Sequence, residues 1–102
     1  MNYRLAYFIE AREDISAAKN WYFGQLPGLE VRFAKDVKRA IERLRSTPFS
    51  HSIRYKNIRI AHPDVFPYSI HYYIDEDMKR IVIIGVVHSR RDLAFLDERT
   101  SR

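Results

Sequence analysis

The most informative part of the chain is FPYSIHYYIDEDMKRIVIIGVVHSRRD, residues 66–92. Residues 68–74 alternate between two kinds of side chain, which is the period of a strand with two different faces. Residues 81–87 are apolar except for Gly85 and rich in β-branched side chains, as in a central strand covered on both faces. A short polar connection joins the two, so the stretch predicts a β-hairpin. The chain turns polar at residues 88–92, and we expect functional side chains near that edge.

Two segments before this hairpin, residues 11–25 and 29–46, carry apolar side chains at helical spacing. The first stripe consists of Ala11, Ile15, Ala18 and Tyr22, and the second of Leu29, Phe33, Val37, Ile41 and Leu44. Because Pro27 and Gly28 leave only a short link, we predict an antiparallel helical hairpin. We expect Trp21, with its neighbour Tyr22, to pack in the core.

The remaining strands complete an α+β fold. Residues 3–8 alternate and predict a first strand. A second strand is expected to begin near Arg54 or Lys56 and to run to about Ala61, with a bulge or a late start at Asn57. The order β–α–α–β–β–β predicts a helical hairpin packed on one face of a largely antiparallel four-stranded sheet. The other face would be partly open and would display Ser69, His71 and Tyr73, or their alternates.

Length and composition restrict the class of protein. A chain of 102 residues without cysteine predicts one domain, residues 1–102, without disulfides or thiolate metal sites. Residues 93–102 are expected to form a short C-terminal tail or helix. No apolar run approaches the roughly 20 residues of a membrane span, and no signal peptide is recognisable. We therefore expect a cytoplasmic protein that does not act at a membrane.

The net charge of +5 is concentrated in the middle of the chain. Residues 35–62 hold eight basic and two acidic side chains, whereas basic and acidic side chains nearly balance before and after them. Solvated helix faces account for some of these cations. Their clustering also fits an acidic protein segment or a phosphate backbone as partner.

Only one group of residues suits catalysis. His88 ends the last strand and can titrate near neutrality, Arg90 and Arg91 follow it, and Arg59 could approach from a neighbouring strand. A histidine among arginines can cleave a phosphodiester, or it can simply bind a phosphate or carboxylate. Spacing does not separate the two. The four histidines match no metal-binding pattern and no glycine-rich phosphate loop exists, so we expect no metal and no cofactor.

Several short motifs resemble the RelE/ParE superfamily of bacterial toxins, and together they cover the chain from the first strand to Asp92. They are Ala11-x-x-Asp14-Ile15, Trp21-Tyr22, Gly28-Leu29-x-x-x-Phe33, the Pro48 loop, Ile58-Arg59, Phe66-Pro67-Tyr68-x-Ile70-x-Tyr72 and Val87-His88-Ser89-Arg90-Arg91-Asp92. The resemblance implies the toxin of a type II toxin–antitoxin pair, a growth inhibitor of the kind that stabilises plasmids, neutralised by a cognate antitoxin protein.

Members of this superfamily differ in their target. RelE-like members cleave messenger RNA on the ribosome, whereas ParE-like members poison DNA gyrase and are not nucleases. RelE-like enzymes typically carry an arginine where this chain has Ser69, and a tyrosine near the C-terminus, whereas no tyrosine follows Tyr73 here. The strand-ending His88, followed by Arg91-Asp92, resembles the ParE-like ending. These features favour gyrase inhibition.

Three hypotheses follow from the resemblance. The favoured one is a gyrase inhibitor that is not an enzyme. The second is a ribosome-dependent endoribonuclease using His88 with Arg59, Arg90 or Arg91. The third is a relative that has lost toxicity and only binds an antitoxin or DNA. In each case the residues expected to contact the antitoxin or target are Arg54, Lys56, Arg59, His88, Arg90 and Arg91.

Overall fold

The computed structural model describes residues 2–91 and 93–101. Its elements are, in order, β1 (Arg4–Tyr7), α1 (Ile9–Gln25), α2 (Leu29–Ser46), β2 (Ile53–Tyr55), β3 (Ile58–Ala61), β4 (Tyr68–Asp75), β5 (Arg80–His88) and α3 (Phe95–Thr100). One sheet has the order β1-β5-β4-β3-β2, with β1 parallel to β5 and the other neighbours antiparallel. The predicted α+β fold is confirmed. Asp92, which ends the last motif of the resemblance, lies outside the described residues.

The helical hairpin forms where the apolar stripes predicted it. The stripe of α2 is buried, and Phe33, Val37, Ile41 and Leu44 are each at most 2% exposed. Gly28 links the helices with a φ of 102°, a left-handed conformation that glycine adopts without steric cost. The stripe of α1 contains small residues, of which Ala11 and Ala18 are buried. Small side chains let α1 lie close to β5.

The predicted number of strands was wrong: the sheet has five strands, not four. Residues 53–61 form two short strands because Lys56 and Asn57 make a turn between Tyr55 and Ile58, which pair with each other. Lys56 has a φ of 48°, as tight two-residue hairpin turns require. The change in apolar pattern at Asn57 therefore marks a reversal of the chain. A separate irregularity in the pairing lies between Ile53 and Tyr55.

β5 is a central strand, as its apolar sequence predicts. It pairs with β1 on one side and with β4 on the other, and residues 81–87 are all buried. The side chains of Tyr72, Ile81 and Ile83 pack with the helical hairpin on one face of the sheet. Val82 and Ile84 pack with Ile58 in a second, smaller cluster. Both faces of β5 are therefore covered.

The sheet face away from the helical hairpin is less open than expected, because α3 packs over part of it. Leu96 is fully buried, and a β-carbon placed on Gly85 would lie 2.9 Å from Leu96 Cδ2. The absence of a side chain at Gly85 thus allows this approach. His71 and Ser69, which we expected to be displayed, are 0% and 6% exposed. None of the described helices is both long enough and apolar enough to cross a membrane.

Candidate partner-binding groove at the end of β5

The outer edge of β5 is only partly covered by another strand. β1 stops at Tyr7, opposite Ile83, and beyond this point β5 faces α1. Asp14 of α1 accepts a hydrogen bond from the backbone N–H of Val86 at 3.0 Å, and Arg99 of α3 donates to the carbonyl of Ile84 at 3.0 Å. Side chains therefore satisfy backbone groups that a further strand would otherwise pair.

Asp14 and Arg99 also bind each other. Arg99 Nη1 lies 2.7 Å from Asp14 Oδ2, and Arg99 Nη2 lies 3.1 Å from Asp14 Oδ1. Both side chains are nearly buried, at 11% and 12% exposure. This bidentate pair joins α1, β5 and α3. We call it the edge clamp.

A groove of about 230 Å³ lies beside the edge clamp, between α1 and the last residues of β5. Its lining consists of Asp14, Ala17, Ala18, Trp21, Tyr68, Val86, Val87, His88 and Arg91. Trp21 lines the groove and is 58% exposed, so much of its surface faces solvent. The backbone N–H groups of a strand point alternately to its two sides. The N–H of His88, two residues after Val86, therefore points toward α1, as the N–H of Val86 does. The groove thus offers an aromatic wall, a backbone donor and a cation.

The hydrogen bond made by His88 restricts its chemistry. Its Nδ1 accepts a hydrogen bond from the backbone N–H of Arg90 at 3.2 Å. In a neutral His88 ring the proton is therefore assigned to Nε2, which then acts as a hydrogen-bond donor. The ring also makes an edge-to-face contact with Tyr68, with the ring centroids 5.4 Å apart. These contacts make His88 a suitable hydrogen-bond donor and a poor general base.

Two neighbours of His88 are also fixed. Burial is the main cause that raises the pKa of Tyr68 to about 12, and a hydrogen bond with Tyr22 adds to it. The hydroxyl of Tyr68 therefore stays protonated at neutral pH. The guanidinium carbon of Arg91 lies 4.2 Å from the centroid of the Phe95 ring. This stacking holds a cation at the mouth of the groove. The side chain of Arg90 is exposed.

The structure does not bring Arg59 to His88. Arg59 pairs with Tyr72 on one side of β4, and His88 pairs with Tyr68 on the other. Four residues of strand separate those positions, about 13 Å, and two strand spacings add to the distance. Arg59 instead donates a hydrogen bond to the carbonyl of His51 and lies over the ring of Phe49.

The other two predicted cations lie on the hairpin of β2 and β3. Lys56 donates to Thr100 Oγ1 at 2.8 Å and lies 3.6 Å from Asp97, so it holds α3. Arg54 is exposed and lines a cavity of about 450 Å³ beside α3. The six predicted residues are therefore spread over two regions of the molecule, and only His88 and Arg91 line the groove.

Sequence reasoning did not assign Trp21 to a site. Tyr22 and Phe33 are buried as expected, whereas Trp21 is exposed, so its assignment to the core was wrong. A signal was present: neighbouring helical residues point about 100° apart, so Trp21 and Tyr22 do not both face one core. Sequence reasoning assigned Asp14 no role beyond its place in the motif Ala11-x-x-Asp14-Ile15. Its partner Arg99 lies 85 positions away, and no local pattern links them.

His71 is the other histidine with an unusual environment. Tyr55 Oη lies 3.0 Å from its Nδ1, and its Nε2 is buried without a hydrogen-bond partner. Burial is the main cause that lowers the pKa of His71 to about 4. His62, Arg54 and Arg99 lower this pKa further, whereas the carboxylate of Asp14 raises it. His71 is therefore neutral at pH 7.

We expect His71 to make the stability of this protein depend on pH. Its pKa is lowered from 6.5 to about 4 in the folded state, so the unfolded chain binds the extra proton first. This contribution is fully present above pH 6.5 and is lost as the pH falls toward 4. Urea unfolding of the wild type and His71→Phe at several pH values measures it. The prediction would be contradicted if the free energy of unfolding changed equally with pH in both proteins over that range.

The described residues contain no group of three His, Asp or Glu side chains that could hold a metal ion. One family model, described as "ParE toxin of type II toxin-antitoxin system, parDE", matches residues 6–93. Among curated proteins, no match was found.

Two solved structures resemble this fold. The chromosomal ParDE TA system from P. aeruginosa has a TM-score of 0.73 and 17% identity, covering 84% of this chain and 95% of that one. The toxin–antitoxin complex RelBE2 from Mycobacterium tuberculosis has a TM-score of 0.62 and 22% identity, covering 86% of this chain and 99% of that one. At these identities the likeness shows a shared fold.

Proposed function

This chain belongs to the ParE toxin family of type II toxin–antitoxin systems, and we propose that it arrests growth by binding DNA gyrase and is neutralised by a cognate antitoxin. The main support for the gyrase proposal is that the residues a nuclease would need at one site lie far apart in this fold. Arg59 is engaged by His51 and Phe49, far along the sheet from His88. Phosphodiester cleavage needs its proton donor, acceptor and cations around one reacting phosphate.

The environment of Ser69 supports the same proposal. Ser69 is 6% exposed, and its hydroxyl lies 3.3 Å from that of Ser89. No cation therefore projects from the position where the resemblance to ribonucleases would require arginine. His88 adds to this argument, because its Nδ1 is occupied and its neutral ring has no free acceptor nitrogen.

In place of a catalytic cluster, the end of β5 offers a surface suited to binding. Trp21 and Arg91 belong to residue types that often dominate interfaces. Here both line the same groove, as does His88. We propose that gyrase contacts this groove, and that the energy of binding comes from desolvating the indole and pairing the guanidinium.

Replacing His88 by alanine is expected to weaken gyrase inhibition by less than about tenfold, because most interface contacts contribute little individually. The wild type should cleave no messenger RNA in a cell-free translation reaction. Supercoiling and translation assays run in parallel on the wild type and His88→Ala measure both outcomes. His62→Ala, an exposed histidine outside the groove, is the matched control.

A different result would identify the ribonuclease alternative. If the wild type cleaves messenger RNA and His88→Ala lowers the rate by ~10²–10⁴-fold, His88 transfers a proton and the gyrase proposal is wrong. If the wild type affects neither gyrase nor translation, the chain has lost toxicity.

A further inference from the structure

Four of the eight cations in residues 35–62 have hydrogen-bond or ion-pair partners within the molecule. The pairs are Arg43 with Asp64, Arg45 with Glu42, Lys56 with Asp97, and Arg59 with the carbonyl of His51. On α2, by contrast, Arg32, Lys35 and Arg39 are exposed and form no ion pair among the described residues. Their spacing of three and four puts them on one side of the helix.

The loop at residues 64–66 lies against this side of α2 and is held in a fixed conformation. Asp36, only 4% exposed, accepts hydrogen bonds from the backbone N–H groups of Asp64, Val65 and Phe66 at 3.0, 2.9 and 2.8 Å. Arg43 binds the Asp64 carboxylate through two nitrogens, each at 3.2 Å. The hydrogen bond from Arg43 also lowers the pKa of Asp64, which keeps that carboxylate charged.

This fixed loop presents an apolar side chain among cations. Val65 is 69% exposed, although it is β-branched and apolar. Together with Phe66 it lines a groove of about 190 Å³ whose other walls are Arg32, Lys35, Asp36 and Arg39. The Asp36 carboxylate accepts hydrogen bonds from three backbone N–H groups and forms no ion pair with the three cations, which are exposed. We call this the α2 surface.

The combination of charges and an apolar knob identifies the partner. A phosphate backbone would pair with the cations but would make no favourable apolar contact with Val65 or Phe66. An amphipathic acidic segment of a protein would make both kinds of contact. Its carboxylates would pair with Arg32, Lys35 and Arg39, and an apolar side chain would pack against Val65. Resting on the proposed function, we infer that the α2 surface binds an acidic, amphipathic segment of the antitoxin.

The hydrogen bonds of Asp36 favour this role because they order the loop before the partner arrives. A preformed surface loses less conformational freedom on binding than a mobile one. The α2 surface and the groove at the end of β5 share no lining residue. Substitutions in the α2 surface can therefore test antitoxin binding without changing a residue that lines the proposed gyrase groove.

The test is binding of the purified cognate antitoxin to the full-length Lys35→Glu/Arg39→Glu variant, measured by calorimetry and stopped-flow association. Both side chains are exposed, so the variant should fold. We expect the affinity to fall by at least about tenfold and the salt dependence of association to weaken. The matched control is Arg12→Glu/Lys19→Glu, which makes the same change in net charge at exposed positions of α1 outside the groove. Val65→Ser should also weaken binding.

The possible failures are distinguishable. Unchanged antitoxin affinity in Lys35→Glu/Arg39→Glu, or an equal loss in the control, overturns the α2 surface. So does loss of binding to a short DNA duplex without loss of antitoxin binding, which would identify a nucleic-acid surface. If the wild type itself does not bind the antitoxin, the proposed function is wrong. Retained gyrase inhibition by the variant supports the assignment of this surface to the antitoxin.

Discussion

Replacing Asp14 by alanine should lower the free energy of unfolding by about 3–5 kcal/mol. The change leaves the guanidinium of Arg99 nearly buried, at 12% exposure, without its carboxylate. It also removes the acceptor of the Val86 N–H at the edge of β5. An unpaired buried charge and an unsatisfied backbone donor both cost free energy that the wild type does not incur. Urea denaturation of the wild type and the variant measures the loss.

The matched control for Asp14→Ala is Glu13→Ala, which removes an exposed carboxylate one residue away on the same helix. It should change stability by less than about 0.5 kcal/mol. The double variant Asp14→Ala/Arg99→Ala should lose less than the sum of the two single changes, because each already breaks the shared pair. Additive losses, or equal effects of Asp14→Ala and Glu13→Ala, would show that the edge clamp contributes little.

The parts of the fold that sequence predicted are those whose signal is local. The bounds of α2, Leu29–Ser46, follow from an unbroken apolar stripe between Gly28 and the Pro48 loop. The hairpin of β4 and β5 follows from alternation and from the polar turn between two apolar runs. In each case the residues that specify the element lie within it.

The parts that sequence missed depend on long-range contacts. Nothing between residues 93 and 101 indicates that Leu96 will be buried on the sheet, because the space for it is provided by Gly85. His71 is fully buried, although its alternating strand predicts exposure on one face. The turn at Lys56 was missed for a different reason. Neither Lys56 nor the following Asn57 is glycine, so the dipeptide lacks the strongest hairpin signal.

The candidate sites show the same division. His88 and Arg91 were found because they follow a strand directly, and both line the groove. Arg59 was placed near His88 only by assuming how the strands align, and the register of β3 with β4 separates them. Residue type identified the chemistry of these side chains. Only the pairing of strands determined which of them lie together.

The largest effect on function should come from Trp21→Ala, which we expect to weaken gyrase binding by at least about 2 kcal/mol, roughly 30-fold in Kd. Trp21 is a large, exposed apolar side chain that lines the groove, and a bound partner would remove part of its surface from water. Truncating such a side chain also leaves a cavity in the interface. Because the indole is 58% exposed in the free protein, its loss should change stability little.

Phe23→Ala separates a groove contact from a general loss of apolar surface. Phe23 lies on the same helix and is 54% exposed, but it does not line the groove. It should leave gyrase binding within about threefold of the wild type, since scattered surface residues contribute little. Binding to purified gyrase and inhibition of supercoiling are measured for both variants. If Phe23→Ala weakens binding as much as Trp21→Ala, or if Trp21→Ala has no effect, gyrase does not contact the groove at the end of β5.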